Sequence, residues 1–294
     1  MRMARSCPGQ GDAASLATLT VAWPVGVMAH LRICTWNINS LRLRWPLLLR
    51  VMTALDPDVI CLQETKVPDP LFPAAARALG YGHVLHRGMK GYNGVAILSR
   101  VPMTALPDTP DWCRRGDCRH LGVRLAVPSG PIDLHDFYVP AGGDVADRDA
   151  NPKFAHKLDF VAEAHAWFRG GTARRGVLVG DLNIAPLEHD VWSHRQLLDV
   201  VSHTPAETRA LAAWMADGWV DAMRHFVPPD RKLYTWWSYR NDDWRVANRG
   251  RRLDHIWVTP DLAPALRSMR VLTEARDWPR PSDHVPVLVE LDLR

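Results

Sequence analysis

The stretch Gly176-Val177-Leu178-Val179-Gly180-Asp181-Leu182-Asn183 constrains this chain more than any other. Three long or β-branched apolar residues in a row predict a strand covered on both faces, which demands a layered fold. The strand runs straight into a glycine, an acid and an amide. Gly180 is expected to let the backbone turn and approach a ligand closely. Asp181 and Asn183, two apart, point the same way if the extended conformation continues. A carboxylate beside an amide at the mouth of a buried strand can orient a water and hold an oxyanion. It can equally close the strand with a simple Asx turn. What weighs against the turn alone is that other strands of the chain end alike.

Taken in order, a strand over 31–36 ends in Asn37-Ile38-Asn39, and a helix over 43–55 follows with Pro46 in its first turn. Leu47, Leu48, Val51 and Leu55 share one helix face. A second strand, 58–62, ends in Gln63-Glu64-Thr65-Lys66, and a short helix follows Pro73. Residues 94–99 read as another buried strand, and 120–127 with 132–138 as an antiparallel hairpin. A helix over 152–168 carries the stripe Phe154, Leu158, Val161, His165 and Phe168. Thr204-Pro205-Ala206-Glu207 is a capping box that starts a helix running to about 217. After a Trp- and Arg-rich stretch come strands at 253–258 and 285–291, the latter entered through Ser282-Asp283-His284. Strands of both senses between helices, with no repeat and no low-complexity linker, predict one α/β domain over 31–294.

Composition excludes some classes. Five cysteines without regular spacing argue against a disulfide framework, and no Cys/His set is spaced for zinc. There is no phosphate loop of the nucleoside-triphosphate type and no G-x-S-x-G elbow. A net charge of +4 leans toward a polyanionic partner. Residues 1–30 stand apart. Their apolar part is broken by Pro24 and Gly26 and is too short to span a bilayer. The segment reads as a poor signal peptide or as a start assigned too early, with Met28 the true start. We take the second reading and expect 1–30 to be disordered or mis-assigned.

The strand ends deliver Asn37, Asn39, Glu64, Tyr138, Asp181, Asn183, Asp254, Asp283 and His284. In layered α/β folds such ends converge at the rim where ligands bind. Carboxylate and amide oxygens suit a hard divalent cation such as Mg²⁺, and the set fits phosphodiester cleavage.

The motifs Trp36-Asn37-Ile38-Asn39, Gln63-Glu64-Thr65-Lys66, Gly94-Val95-Ala96-Ile97, Tyr138-Val139-Pro140, Gly180-Asp181-Leu182-Asn183-Ile184-Ala185-Pro186, Arg252-Leu253-Asp254-His255 and Ser282-Asp283-His284 occur in this order. In this the chain resembles the exonuclease III family of apurinic/apyrimidinic endonucleases, within the endonuclease/exonuclease/phosphatase superfamily. The resemblance covers 31–294. It implies a four-layered α/β sandwich, two mixed β-sheets packed face to face with helices outside. It also implies a Mg²⁺- or Mn²⁺-dependent hydrolase acting on duplex DNA, a cytoplasmic, nucleoid-associated monomer without membrane attachment.

Roles follow from the same resemblance. Glu64, helped by Asn39 and Asp283, is expected to hold the metal. Asp181 is expected to activate the attacking water, and Asn183 to hold the scissile phosphate. His284, oriented by Asp254, is expected to contact a phosphate oxygen, with Asn37 and Tyr138 as donors. Trp236, Trp237 and Leu253 match the aromatic and aliphatic wall of the family's sugar pocket. Arg251 stands where a bulky apolar residue is usual, and Ala141 where an amide is usual, which bears on the balance between abasic-site incision and 3′-exonuclease action. Lys66, Arg249 and Arg251 are expected to meet DNA, with Lys90, Arg240, Arg245 and Arg252 as further backbone contacts. Two other readings are a relative that cleaves an inositol phosphate or sphingomyelin, and an inactive binding module. Retention of Glu64, Asp181 and His284 speaks against the latter.

Overall fold

A computed structural model describes residues 30–169, 175–240 and 243–294. The expectation for 1–30 therefore lies, except for His30, outside the described residues. In chain order the strands are β1 (His30–Asn37), β2 (Val59–Gln63), β3 (His83–Arg87), β4 (Val95–Ser99), β5 (Met103–Ala105), β6 (His120–Leu125) and β7 (Ile132–Tyr138). They continue with β8 (Gly176–Asp181), β9 (Val220–Asp221), β10 (Trp236–Trp237), β11 (Gly250–Arg251), β12 (Asp254–Val258), β13 (Leu266–Val271) and β14 (Val287–Asp292). The helices are α1 (Leu41–Leu55), α2 (Ala75–Ala78), α3 (Pro152–Arg169), α4 (His194–Leu197), α5 (Pro205–Ala216), α6 (Ala222–Phe226) and α7 (Trp244–Ala247).

Two six-stranded mixed sheets form, in the orders β13-β14-β1-β2-β4-β3 and β5-β6-β7-β8-β12-β9, with β10 and β11 as a separate ribbon. The parallel pairs are β1 with β2, connected through α1, and β7 with β8, connected through α3. Alternation along the strands sorts the side chains into layers. Leu31, Ile33, Val59 and Cys61 face Val123, Leu134, Val177, Val179 and Ile256 between the sheets. Cys34, Trp36, Ile60 and Leu62 face outward onto Leu41, Leu48, Val51 and Leu55 of α1. Phe137, Leu178 and Trp257 face outward onto Phe160, Val161 and Ala164 of α3 and Leu211 and Trp214 of α5. The result is the four-layered sandwich expected from the sequence.

Six strands carried no sequence signal: the two-residue ribbon strands β10 and β11, and β3, β5, β9 and β13. Each of the last four lies at an edge of its sheet. One-sided pairing leaves them short or half-exposed, so no apolar run or clean alternation marks them. The capping box at Thr204 and Glu207 forms as expected. Helix α3 forms but its buried stripe runs through Phe154, Lys157, Phe160, Val161, Ala164 and Phe168, not through Leu158 and His165. A lysine sits on the inward face, a point taken up below. Gly180 is needed for a different reason from the one expected. At φ +138 a Cβ there would lie 1.9 Å from the carbonyl oxygen of Phe137, so the close approach is of β8 to β7 rather than to a ligand.

Candidate active site

The register of the second sheet sets Tyr138, Asp181 and Asp254 side by side at the ends of three adjacent strands. In the first sheet Asn37 pairs with Gln63, so Glu64 emerges next to it. The segment 282–285 closes the rim. Ser282 Oγ donates to the carbonyl of Asn37 at 2.7 Å, the Trp36 indole donates to the carbonyl of His284 at 3.1 Å, and Val285 N donates to that of Thr235 at 2.8 Å.

Backbone strain concentrates here. Asn39, Ser40, Glu64, Lys66 and Asn183 all adopt positive φ, between +46 and +90. For a residue with a Cβ this costs roughly 1–2 kcal/mol each. Cross-loop bonds hold them: Ser40 N to Glu64 O at 2.8 Å, Lys66 N to Asn93 O at 2.9 Å, and Asn183 N to Asp181 Oδ1 at 2.9 Å.

Asp181 is almost fully buried and is the most heavily bonded of the carboxylates at the rim. Its Oδ2 accepts from Asn37 Nδ2 at 2.8 Å and Asn183 Nδ2 at 3.0 Å, and lies 3.6 Å from His284 Nε2. His284 Nδ1 meets Asp254 Oδ2 at 2.8 Å, which leaves Nε2 directed at the groove. Burial raises the Asp181 carboxyl to about 7, opposed by the His284 charge and reinforced by Asp254. Burial lowers the His284 imidazole, but Asp254 and then Asp181 outweigh it and lift the ring to about 10. It is therefore an imidazolium at neutral pH.

Glu64 Oε1 accepts from Asn37 Nδ2 and from the Tyr138 hydroxyl, both at 2.9 Å. Burial and the neighbouring Glu64 charge push the Tyr138 phenol well above its usual range, so it stays a neutral donor. Asp283 accepts from Asn39 Nδ2 and from the Trp236 indole, each at 3.0 Å. Burial would raise the Glu64 and Asp283 carboxyls, yet Lys66 beside the first and His284 beside the second hold both below normal. Asn37 spends both amide protons on Glu64 and Asp181 and so joins the two carboxylates.

Two groups of oxygens compete as a cation site. Asp181, Asp254 and His284 offer atoms within 4.8 Å of one another. An imidazolium between those two carboxylates already supplies the positive charge, so this group is a hydrogen-bonded triad. The oxygens of Glu64 and Asn39 converge on a cation: Lys66 Nζ sits 2.8 Å from Glu64 Oε2 and 2.6 Å from Asn39 Oδ1. With Asp283 alongside, this all-oxygen set fits a hard divalent ion. Lys66, expected on the DNA, is placed inside the carboxylate cluster.

Beside the triad lies a cavity of about 520 Å³, walled by Trp192, Trp236, Ser238, Arg240, Arg249 and Arg251. The Arg251 guanidinium lies 5.3 Å over the Trp236 ring and donates to Val201 O at 3.0 Å and Ser202 Oγ at 2.7 Å. Arg249 lies 4.8 Å over Trp192. Trp237 and Leu253 are buried beneath this surface, Trp237 donating to Asn248 Oδ1 at 3.2 Å. Arg252 is fully buried against Asp190 and Asp221, and Arg245 is paired with Asp277. The sealed Arg252 is closed to a phosphate, whereas the Arg245 pair lies on an exposed surface.

A layered sandwich with an acidic, imidazolium-bearing groove at the joined rims of two sheets defines a phosphoesterase. The chain belongs to the endonuclease/exonuclease/phosphatase family, whose profile matches residues 34–284; the family is metal-dependent. It is 31% identical over 273 residues to exodeoxyribonuclease III of Haemophilus influenzae, covering 88% of this chain and 99% of that one. Among solved structures, an AP endonuclease from Archaeoglobus fulgidus matches with TM-score 0.81 and 31% identity, over 89% of this chain and 99% of the other. A 3′ phosphatase from Neisseria bound to product DNA hairpin matches with TM-score 0.80 and 32% identity, over 89% and 99%.

Proposed function

We propose that this chain is a divalent-metal-dependent DNA phosphodiester hydrolase of base excision repair, cleaving 5′ to abasic sites and removing nucleotides and blocking groups from 3′ ends of duplex DNA. The observation that carries this reading is the Asp254–His284–Asp181 triad set against Glu64 and Asp283 across one groove. Glu64, Asn39 and Asp283 hold the ion, Mg²⁺ or Mn²⁺. When bound, it supplies Lewis-acid neutralisation of phosphate charge. Asp181, with a proton affinity near neutrality, orients the attacking water and accepts its proton. Asn183 fixes that carboxylate with its backbone and side-chain N–H groups and lies beside the scissile phosphate. His284 donates from Nε2 to a phosphate oxygen, and Asp254 keeps it charged and oriented. Tyr138 presents a neutral hydroxyl to the same charge, and these fixed donors stabilise the transition state without reorganising. Asn37 is a positioning residue, because its two amide protons tie Glu64 to Asp181.

Trp236, Arg249 and Arg251 offer stacking and charge to the DNA, with Trp237 and Leu253 supporting them from beneath. The charged Arg251 in the cavity wall favours 3′-end processing over the lodging of an abasic sugar. No helix among the described residues is long and apolar enough to cross a membrane. The setting we propose is a monomer acting on nucleoid DNA in the cytoplasm. The deciding assay sets a duplex with one abasic analogue against an intact duplex with a recessed 3′ end, with Mg²⁺ and with chelator. Metal-dependent cleavage of either substrate is expected, and their rate ratio ranks the two activities. No cleavage of either would sink the reading.

A further inference from the structure

Behind the groove, Lys157 of α3 is a fully buried lysine with every ammonium proton directed at an oxygen. Its Nζ donates to Asn183 O at 2.7 Å, to Ala141 O at 3.2 Å, and to the equally buried Glu207 of α5. The Glu207 carboxylate in turn accepts from Ser202 N at 2.9 Å and from Thr204 Oγ1 at 2.7 Å. Ser202, at φ +87, is the residue whose hydroxyl receives Arg251. Two helices and three loops thus meet at one ion pair.

Glu207 already serves as the capping-box acid of α5, but that task needs no lysine, and replacing a buried ion pair by apolar residues is often neutral or stabilising. What the pair does that an apolar pair cannot is grip a carbonyl. Asn183 sits at φ +53, and its backbone and side-chain N–H groups clamp the two oxygens of Asp181 at 2.9 and 3.0 Å. Left free, residue 183 would relax out of the left-handed region and carry the clamp away.

We propose that Lys157 is a positioning residue for hydrolysis, acting through Asn183 to hold the Asp181 carboxylate in its working orientation, with Glu207 as its counter-ion. This rests on the reading of Asp181 as the water-orienting group. Its effect falls on the chemical step rather than on DNA binding, since Lys157 is sealed from the groove.

The test is a double-mutant cycle in the full chain. Lys157→Met with Glu207→Gln removes the ammonium without stranding a buried charge. A misplaced carboxylate of this kind costs up to about 10²-fold. We expect this pair to lower kcat about ten- to a hundredfold on duplex DNA, with KM within about twofold. In an Asp181→Asn background the same pair should cost less than about threefold, because the group being positioned has gone. Lys157→Gln with Glu207→Gln, which keeps a donor for Asn183 O, should recover at least about threefold of the loss, and it serves as the probe if the Met pair does not fold. Leu211→Ala, on the same helix interface, supplies a control of comparable melting temperature with kcat retained. An equal loss of kcat in both backgrounds, or in the control, overturns the proposal. If Asp181→Asn itself keeps more than a tenth of kcat, the reading of Asp181 fails first and separately.

Discussion

The two halves of the sandwich share a plan and differ in what fills it. Each contains a parallel strand pair joined through an outer helix, β1–α1–β2 in one and β7–α3–β8 in the other. In the first half the helix–sheet interface is almost wholly apolar, built from Leu41, Leu47, Leu48, Val51 and Leu55 against Cys34, Trp36, Ile60 and Leu62. The second half buries Lys157 with Glu207, Arg252 with Asp190 and Asp221, and the imidazoles of His120, His135 and His255. Apolar packing dominates the layer behind Asn39 and Glu64, with the buried Arg44 of α1 as its charged exception. Charge fixes the half that presents Tyr138, Asp181, Asn183 and Asp254. Ionic pairs add little net stability but punish displacement sharply. They are suited to holding groups whose exact direction matters, as the role proposed for Asp181 requires.

That division can be broken by five variants, each with its own measurement. Asp181→Asn is nearly isosteric but cannot take a proton, so kcat should fall at least about 10²-fold while DNA affinity is kept or improved. Added Mg²⁺ or Mn²⁺ should not restore it; retention of more than a tenth of kcat would mean that the carboxylate is structural. Glu64→Ala, on the other sheet, should also lose activity, yet excess metal should return part of it. Isothermal titration with Mn²⁺ should show affinity weaker by about tenfold or more, and an unchanged titration would remove Glu64 from the metal set.

On stability, Arg252→Met removes the ion-pair partner of Asp221 and one of the two of Asp190, which keeps Arg224, and should cost about 3–5 kcal/mol in urea unfolding. Leu48→Ala in the apolar half should cost about 2–5 kcal/mol with kcat unchanged. If the Leu48 variant loses kcat as well, the halves are not separable. The smallest effect concerns pH. His284 has its pKa raised to about 10, so its charge contributes stability and donor strength fully below the unfolded value and loses both as pH rises through about 10. The alkaline limb of kcat/KM should therefore lie near 10. Asp254→Asn removes the largest favourable cause and should bring that limb down by roughly 1–3 units. An unmoved limb would detach Asp254 from His284.

The same contrast explains what could be read from the sequence. Apolar runs such as Val177-Leu178-Val179 and Val95-Ala96-Ile97-Leu98 announce central strands, and a polar residue at each strand end announces the rim. Lys157 announced nothing, because a lone lysine on a helix ordinarily faces water. A closer phase, with Phe154 three residues before it and Val161 four after, would have put it on the inward face. The positive φ of Glu64 and Lys66 is equally silent, since neither residue type favours it. Only the bonds from Asn93 and Ser40, distant in sequence, impose it. Arg252 looked like a phosphate contact because its partners, Asp190 and Asp221, are 62 and 31 residues away.

The place of β14 in the first sheet has a consequence for biosynthesis. It lies between β13 and β1, pairing with the earliest described strand and following the segment that carries Asp283 and His284. A growing chain that has reached α5 already possesses Glu64 and Asp181 but lacks Asp254, Asp283, His284 and the second neighbour of β1. Until then β1 shows an unpaired edge, a template for wrong association that molecular chaperones exist to shield. Completion of the last strand closes that edge and anchors the segment that brings Asp283 and His284 to the groove, so sheet closure and site completion are coupled.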